Sequence, residues 1–316
     1  MLYFTHLHFY TFVKGHIKLG GIYMNIFEKY QLAQKVRKIT VGNEKGGVGK
    51  TSIIRLIPFI LSEMGFKCLI IDKDTQSNTT KSLYVTRSLY HEEEVTIFKK
   101  TLMRGIADGD LSDLIVNVKE NLDFIPSSLD FASFPTFLSK KFGLVDKTDK
   151  DYIPVTKSKY EYFKSLVDEV SKDYDFVFFD TPPTISDYTQ AAAYASDYIL
   201  IAFQTQSDSL DGAKSYVQNT LKPLVEDLDA EIEVMGILPN QVTKNGSIDN
   251  KVIDDAKELF GEENIFKNII PYSKAIQNIP RNGITREGYW NEKMFKNVFE
   301  PITDEFLRRI SAMEEI

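Results

Sequence analysis

The chain has 316 residues, of which 43% are hydrophobic and 26% are charged, and its formal net charge is −7 at pH 7. No apolar run approaches the ~20 residues that a membrane-spanning helix requires. The single cysteine, Cys68, excludes a disulfide framework and any cysteine-ligated cluster that this chain alone could hold. The acidic balance argues against a surface that is basic throughout, but it leaves room for a local basic patch.

Residues 1–35 are expected to form an N-terminal arm before a single domain over residues 36–316. Gly20, Gly21 and, after a short spacer, Met24 could be encoded by a bacterial ribosome-binding site followed by a start codon. Residues 1–23 would then not be translated. The alternative is a disordered N-terminal arm.

Strand and helix signals alternate from residue 36 onward. Short apolar runs predict parallel strands buried on both faces, and amphipathic segments between them predict helices. The predicted strands are 37–42, 67–72, 121–125, 176–180, 198–203, 233–238 and 265–270. The predicted helices are 50–64, 95–103, 159–172, 188–195, 210–228, 248–259 and 291–312, and residues 145–158 are expected to form a surface loop. The alternation predicts an α/β fold with a doubly wound, mostly parallel twisted sheet and helices on both faces.

A glycine-rich segment, Asn-Glu-Lys-Gly-Gly-Val-Gly-Lys-Thr-Ser over residues 43–52, joins the first predicted strand to the first predicted helix. Glycines let the backbone wrap around phosphates, and the helix N-terminus adds partial positive charge. Lys50 is expected to reach the β- and γ-phosphates, and the Thr51 hydroxyl to ligate Mg²⁺. The alternative is a turn with two solvated lysines. The predicted nucleotide-binding residues here are Lys45, Gly46, Gly47, Val48, Gly49, Lys50, Thr51 and Ser52.

Two predicted strands end in aspartates. The first ends in Asp72, with Asp74 two residues further on, and the second ends in Asp180. Ligands of parallel α/β sheets lie at the carboxyl ends of the strands, so these carboxylates are expected to face the phosphates. Asp180 is expected to hold Mg²⁺ next to Thr51, as a Walker B acid does. The alternative for Asp72 and Asp74 is a pair of turn or capping aspartates.

Residues 45–51, Lys-Gly-Gly-Val-Gly-Lys-Thr, resemble the deviant Walker A box of the ParA/MinD family of P-loop NTPases. In that family the extra lysine crosses a dimer interface to the partner subunit's nucleotide. Lys45 matches it, so the resemblance implies an ATP-sandwich homodimer. Glu44 takes the place of the first glycine in the ordinary pattern.

Further segments extend the resemblance over about residues 36–306. Residues 72–76 resemble the family's D-x-D-P-Q switch, with Thr75 in place of proline, and residues 180–183 resemble its D-x-P-P segment. Residues 236–240 and 269–274 resemble the strands whose Asn recognises adenine and whose proline packs on the base; a loop Asn and a loop Pro are the alternative. The resemblance implies the catalytic residues Lys45, Lys50 and Asp74, the metal-site residues Thr51, Asp72 and Asp180, the base contacts Asn240 and Pro271, and the cofactors ATP and Mg²⁺.

The lone cysteine and the acidic C-terminal tip argue against iron–sulfur and membrane-anchored relatives, which leaves the DNA-segregating ParA branch. We therefore expect a Mg²⁺-dependent ATPase in the bacterial cytoplasm, associated with the nucleoid and not with a membrane. Its expected partners are a second copy, a centromere-binding ParB-like protein and non-specific DNA. The candidates for DNA contact are Lys244, Lys274, Arg281 and Arg286. The alternatives are a MinD-like positioning scaffold without DNA binding and a small-molecule ligase or kinase on the same fold.

Overall fold

The computed structural model describes residues 12–13, 16–19, 22–25, 29–30, 32–91, 100–243 and 247–314. The strands are β1 (Phe12–Val13), β2 (His16–Leu19), β3 (Ile22–Asn25), β4 (Arg37–Gly42), β5 (Cys68–Asp72), β6 (Val116–Lys119), β7 (Leu122–Ile125), β8 (Phe176–Asp180), β9 (Tyr198–Gln204) and β10 (Glu233–Asn240). The α-helices are α1 (Lys50–Glu63), α2 (Asn78–Arg87), α3 (Leu102–Asp108), α4 (Phe134–Phe142), α5 (Tyr152–Val170), α6 (Asp187–Tyr194), α7 (Ser207–Ser215), α8 (Lys222–Glu226), α9 (Ser247–Phe260), α10 (Lys274–Asn282), α11 (Tyr289–Met294) and α12 (Glu300–Glu314). Two π-helical segments, Tyr216–Leu221 and Phe295–Phe299, connect α7 to α8 and α11 to α12.

The strands form two sheets. β1, β2 and β3 make a three-stranded antiparallel sheet. The other seven lie in the order β10-β9-β4-β8-β5-β7-β6, and every neighbouring pair is parallel except β6 and β7. The predicted doubly wound, mostly parallel α/β fold is therefore confirmed.

Helices cover both faces of the seven-stranded sheet, and β5 illustrates why its strands are almost continuously apolar. Cys68 and Ile70 point into the core that α1 and α12 cover, whereas Leu69 and Ile71 point into the core under α4 and α5. Since successive side chains of a strand point to opposite faces, a strand covered on both sides must be apolar at both sets of positions.

The prediction of a strand over residues 265–270 is wrong. Isolated bridges join Ile265 to Ile237 and, just beyond the stretch, Pro271 to Val242, and the amides of residues 266 and 270 donate to β10. Between them, the backbone N–H groups of residues 267 and 268 donate to the two carboxylate oxygens of Glu305, both at 2.9 Å. The Glu305 side chain therefore takes the amide of residue 268 and interrupts the ladder between residues 266 and 270.

Several elements differ from the predictions or were missed. β6 is a short antiparallel edge strand, and α2, α4 and α10 were not predicted. α2 is rich in threonine and other polar residues with weak helix propensity, and it packs against α10 and the sheet. α5 begins at Tyr152, so the expected surface loop ends at residue 151. Most of the predicted helix 95–103 lies outside the described residues, and α3 begins at Leu102.

Tyr30 and Arg37, before and at the start of β4, bind side chains of α12. The buried Tyr30 donates from its hydroxyl to Asp304 Oδ1 at 2.7 Å. Arg37 donates from Nε and Nη2 to the two carboxylate oxygens of Glu314, both at 2.7 Å. No helix in the described part of the chain has the length and apolar character that a membrane span requires.

Candidate nucleotide site

The glycine-rich loop runs from the carboxyl end of β4, in the middle of the sheet, to the N-terminus of α1. Gly47 and Gly49 have φ angles of 80° and 87°, which side chains rarely adopt. A Cβ on Gly49 would lie 1.7 Å from Nδ2 of Asn240. The loop thus presents open backbone before a helix N-terminus, the arrangement that binds phosphate groups.

Lys50 folds back over its own loop. Its side chain is buried, and Nζ donates to the carbonyl oxygens of Asn43 at 2.8 Å and Lys45 at 3.3 Å. Burial lowers the pKa of the Lys50 ammonium to about 8, although Asp180 and Asp74 act in the opposite direction. The structure therefore holds one cation inside the loop, where it is bonded to neutral carbonyl groups.

Thr51 and Asp180, the expected Mg²⁺ pair, lie side by side. The Thr51 hydroxyl donates to Asp180 Oδ1 at 3.4 Å, and the Thr79 hydroxyl donates to Oδ2 at 2.6 Å. Burial raises the pKa of the Asp180 carboxyl, while the bond from Thr79 and the charge of Arg55 lower it. Both oxygens of Asp180 are therefore oriented by hydroxyl groups.

Asp72 lies in register beside Asp180 on the adjacent strand and is fully buried. Its Oδ2 accepts from the amide and the hydroxyl of Thr80, at 2.8 and 2.7 Å, and Oδ1 accepts from the Asp74 amide at 3.0 Å. Burial, and after it the charge of the neighbouring Asp180, raise the pKa of Asp72 to about 7 against the opposing hydrogen bonds from Thr80 and Asp74. Asp72 thus shapes the turn in addition to facing the site.

Asp74 is half-buried, and its turn forms without the proline of the family pattern. Its Oδ1 accepts from the Gln76 amide at 2.9 Å, and its carbonyl oxygen accepts from the Ser77 amide at 2.8 Å. Ser77 has a φ of 55°, which closes the turn before α2. Hydrogen bonds therefore hold the segment in which Thr75 replaces proline.

Lys73 points to the opposite face of the sheet from Asp72. Its ammonium lies 3.4 Å from the ring centroid of Phe163 and 4.9 Å from that of Phe134. Within the described residues, Nζ has no hydrogen-bond partner. Burial lowers the pKa of Lys73 well below its usual value. Lys73 is therefore a buried lysine beside the site that does not face it.

Three consecutive loop residues attach to β9 and the helices that follow it. Asn43 donates from Nδ2 to the carbonyl oxygens of residues 202 and 209, at 2.8 and 3.1 Å. Glu44 accepts hydrogen bonds from the hydroxyls of Ser215 and Thr220. Lys45 is exposed, and its Nζ lies 3.3 Å from Oδ2 of Asp208. The entry to the loop therefore rests on α7, and only Lys45 ends at the surface.

Of the two expected base contacts, Asn240 ends β10, and Pro271 lies in the segment that pairs with the residues just after β10. Asn240 is buried; Nδ2 donates to the Val48 carbonyl at 2.7 Å, and Oδ1 accepts from the Gln241 amide at 2.7 Å. Pro271 is half-buried and bridges to Val242. In this structure Asn240 supports the loop, and both Nδ2 and Oδ1 of its side chain make a hydrogen bond.

Sequence reasoning missed four residues around the site. Thr79 binds Asp180 and Arg55 binds Thr79, Thr80 binds Asp72, and Gln241 donates from Nε2 to the Gly47 carbonyl at 2.6 Å. One signal was available for Arg55, because it is a charged residue inside the apolar run of α1, four residues after Thr51. Residues four apart lie on the same face of a helix, so Arg55 could have been placed near the carboxylates.

Comparison with known proteins agrees with this geometry. Residues 36–234 match the family AAA_31, which is described as an AAA domain. Soj of Bacillus subtilis, a sporulation initiation inhibitor protein, is 26% identical over 246 residues, covering 78% of this chain and 88% of Soj. The chromosome-partitioning ATPase Soj of Treponema pallidum is 26% identical over 267 residues, covering 84% of this chain and 95% of its own. The chain belongs to the AAA_31 family as a ParA-type ATPase.

The fold of this ParA-type ATPase also matches a solved structure. A variant of McdA from Cyanothece, in complex with ATP, superposes with a TM-score of 0.70 at 19% identity, covering 87% of this chain and 97% of McdA. At this level of identity the likeness establishes the shared P-loop fold.

Proposed function

We propose that this chain is a Mg²⁺-dependent ATPase that forms an ATP-sandwich homodimer. With a centromere-binding, ParB-like partner and non-specific DNA, it would drive plasmid or chromosome partition. One observation carries the proposal: the loop turns one lysine inward and the other outward. Lys50 is 7% exposed, whereas the Lys45 side chain is 46% exposed. The name of the Treponema relative, chromosome-partitioning ATPase, supports the same function.

The loop is assigned to the triphosphate. Lys50 would exchange its bonds to the carbonyl oxygens of Asn43 and Lys45 for stronger bonds to charged phosphate oxygens. Asn240 and Pro271 are assigned to the base. Asn240 makes one hydrogen bond at each polar atom of its amide, so the second hydrogen on Nδ2 and the second lone pair on Oδ1 would serve the adenine edge.

Thr51 and Asp180 would hold Mg²⁺, with Asp72 behind them. The oxygen donors fit a hard cation, since two buried carboxylates lie side by side there and burial raises the pKa of both. When bound, the ion would neutralise charge on the phosphates. Asp74 would orient the attacking water, because the Gln76 amide fixes one of its oxygens. Lys50, and Lys45 from a second copy, would stabilise charge on the transferring phosphoryl group.

The four candidates for DNA contact differ in their ion pairs and exposure. Arg286 does not suit this role, because it pairs with three carboxylates, those of Glu63, Glu292 and Glu300. Lys244 lies outside the described residues. Lys274 and Arg281 are exposed on α10, and we assign DNA contact to them.

The first experiment uses Asp74→Ala with ATP and Mg²⁺. Without the group that orients water, the variant should bind ATP, hydrolyse it at least about 100-fold more slowly and accumulate as a dimer. Light scattering after size-exclusion chromatography measures the dimer, and phosphate release measures turnover. Normal hydrolysis by Asp74→Ala would refute the role given to Asp74.

The trapped dimer then provides the material for the DNA test. A gel shift at increasing salt should show ATP-dependent binding that falls steeply as the salt concentration rises, because phosphate contacts release counterions. Lys274→Ala and Arg281→Ala should weaken binding to all sequences equally. A dimer that binds no DNA at low salt would favour the positioning scaffold.

A further inference from the structure

Arg55 is a buried cation that the proposed mechanism does not use. It lies on α1, one helical turn after Thr51, and is only 4% exposed. Its Nε donates to Oγ1 of Thr79 at 3.3 Å. Burial lowers the pKa of this guanidinium, whereas the charges of Asp180 and Asp72 raise it. Because burying a charge without partners is costly, the neighbouring carboxylates explain how Arg55 is tolerated there.

Thr79 connects Arg55 to Asp180. Its hydroxyl donates to Asp180 Oδ2 at 2.6 Å while it accepts from Arg55 Nε. A threonine hydroxyl carries a single hydrogen, and a guanidinium nitrogen can only donate. Arg55 therefore directs that hydrogen towards Asp180. Thr79 also lies in the first turn of α2, where the partial positive charge of the helix end favours a carboxylate.

The two oxygens of Asp180 thus have different surroundings. Oδ2 is held by the Arg55–Thr79 pair, and Oδ1 faces the Thr51 hydroxyl at 3.4 Å. We propose that Arg55 and Thr79 are positioning residues that hold Oδ2 of Asp180 so that Oδ1 serves the Mg²⁺ site. This inference rests on the proposed function, because it assigns a role to residues behind the same metal site.

The test compares Thr79→Val with Thr79→Ser. Valine keeps the shape of threonine and removes the hydroxyl, whereas serine keeps the hydroxyl. The Mg²⁺ concentration for half-maximal ATP hydrolysis, and for Mg²⁺-dependent binding of a fluorescent ATP analogue, should rise about tenfold in Thr79→Val. In Thr79→Ser both values should stay close to those of the unmodified chain, as should binding of the analogue without Mg²⁺ in either variant.

Arg55→Met should shift the Mg²⁺ requirement in the same direction, and the double variant with Thr79→Val should shift it no further than the larger single effect. This non-additivity is expected because Arg55 acts through Thr79. Thr86→Val is the matched control. Thr86 is a buried threonine of the same helix that donates to the Ser82 carbonyl and accepts from the Ile284 amide. Its loss should lower the melting temperature and leave the Mg²⁺ requirement unchanged.

The inference is overturned if Thr79→Val needs no more Mg²⁺ than the unmodified chain. It is also overturned if Thr86→Val shifts the requirement equally, or if the effects of Arg55→Met and Thr79→Val add. If the unmodified chain binds the ATP analogue in the same way with and without Mg²⁺, the proposed function fails before this inference is reached.

Discussion

The two ends of the phosphate-binding loop are built differently. At the α1 end, Lys50 is buried and held by two carbonyl oxygens of the loop. At the β4 end, Lys45 is exposed, and the contact found for its Nζ is an ion pair with the more exposed Asp208. Backbone contacts preorganise Lys50, the lysine that we propose for this chain's own nucleotide, whereas an exposed ion pair contributes little and is easily exchanged. This contrast supports the proposal that Lys45 serves the nucleotide of a second copy.

Of the three substitutions that test this contrast, replacement of Lys50 should have the largest effect, which is a loss of ATP affinity. Lys50→Met removes the charge inside the loop, and the affinity for ATP should fall about 100-fold or more, since a buried hydrogen bond to a charged group is lost. Isothermal titration calorimetry with ATP and Mg²⁺ measures it. Lys73→Met is the matched control, because it replaces a buried lysine whose amine lacks a hydrogen-bond partner within the described residues. Equal affinities in the two variants would contradict the assignment of Lys50.

Lys45→Ala should separate binding from hydrolysis. The monomer should keep its ATP affinity, because the Lys45 side chain points away from its own loop towards Asp208. Turnover should fall about 100-fold, as when one charge-stabilising donor is removed. Phosphate release and calorimetry on the same preparation measure both. Lys214→Ala, which removes an exposed lysine of α7, controls for the loss of surface charge. A loss of ATP affinity equal to that of Lys50→Met would show that Lys45 serves its own nucleotide.

The smallest effect is expected from the partner of Lys45. Asp208→Asn removes the ion pair and should increase ATP-dependent dimerisation about two- to fivefold, which is the size expected of an exposed pair. Asp211→Asn is the control: it makes the same charge change at a second exposed aspartate of α7 and should have no effect. Light scattering over a protein dilution series measures the dimer. Weaker dimerisation in Asp208→Asn would mean that Asp208 belongs to the interface and does not compete with it.

The sequence predicted those parts of the molecule whose determinants are contiguous. The loop could be recognised because its glycines, lysines and threonine lie within ten residues between a strand and a helix. The arrangement behind Asp180 could not, because Thr79 lies 24 residues from Arg55 and 101 residues from Asp180. Such pairs form only when the sheet brings α1, α2 and β8 together.

The same distinction between contiguous and distant determinants explains the errors in the predicted fold. Central strands are apolar on both faces and were predicted from their short apolar runs. Residues 265–270 are similarly apolar at their ends, but Glu305, on α12, binds the backbone amides in the middle of the stretch and interrupts the pairing with β10. Local pattern does not contain that information. The weakly helical α2 was missed for a related reason, because its packing against α10 and the sheet outweighs its intrinsic propensity.

The most direct test is a crystal structure of the Asp74→Ala variant with ATP and Mg²⁺. The account predicts two copies facing each other, with Lys50 bonded to phosphate oxygens of its own nucleotide. Lys45 should have left Asp208 and should donate to the nucleotide held by the other copy. A paired structure in which Lys45 still binds Asp208, or points into solvent, would contradict the account.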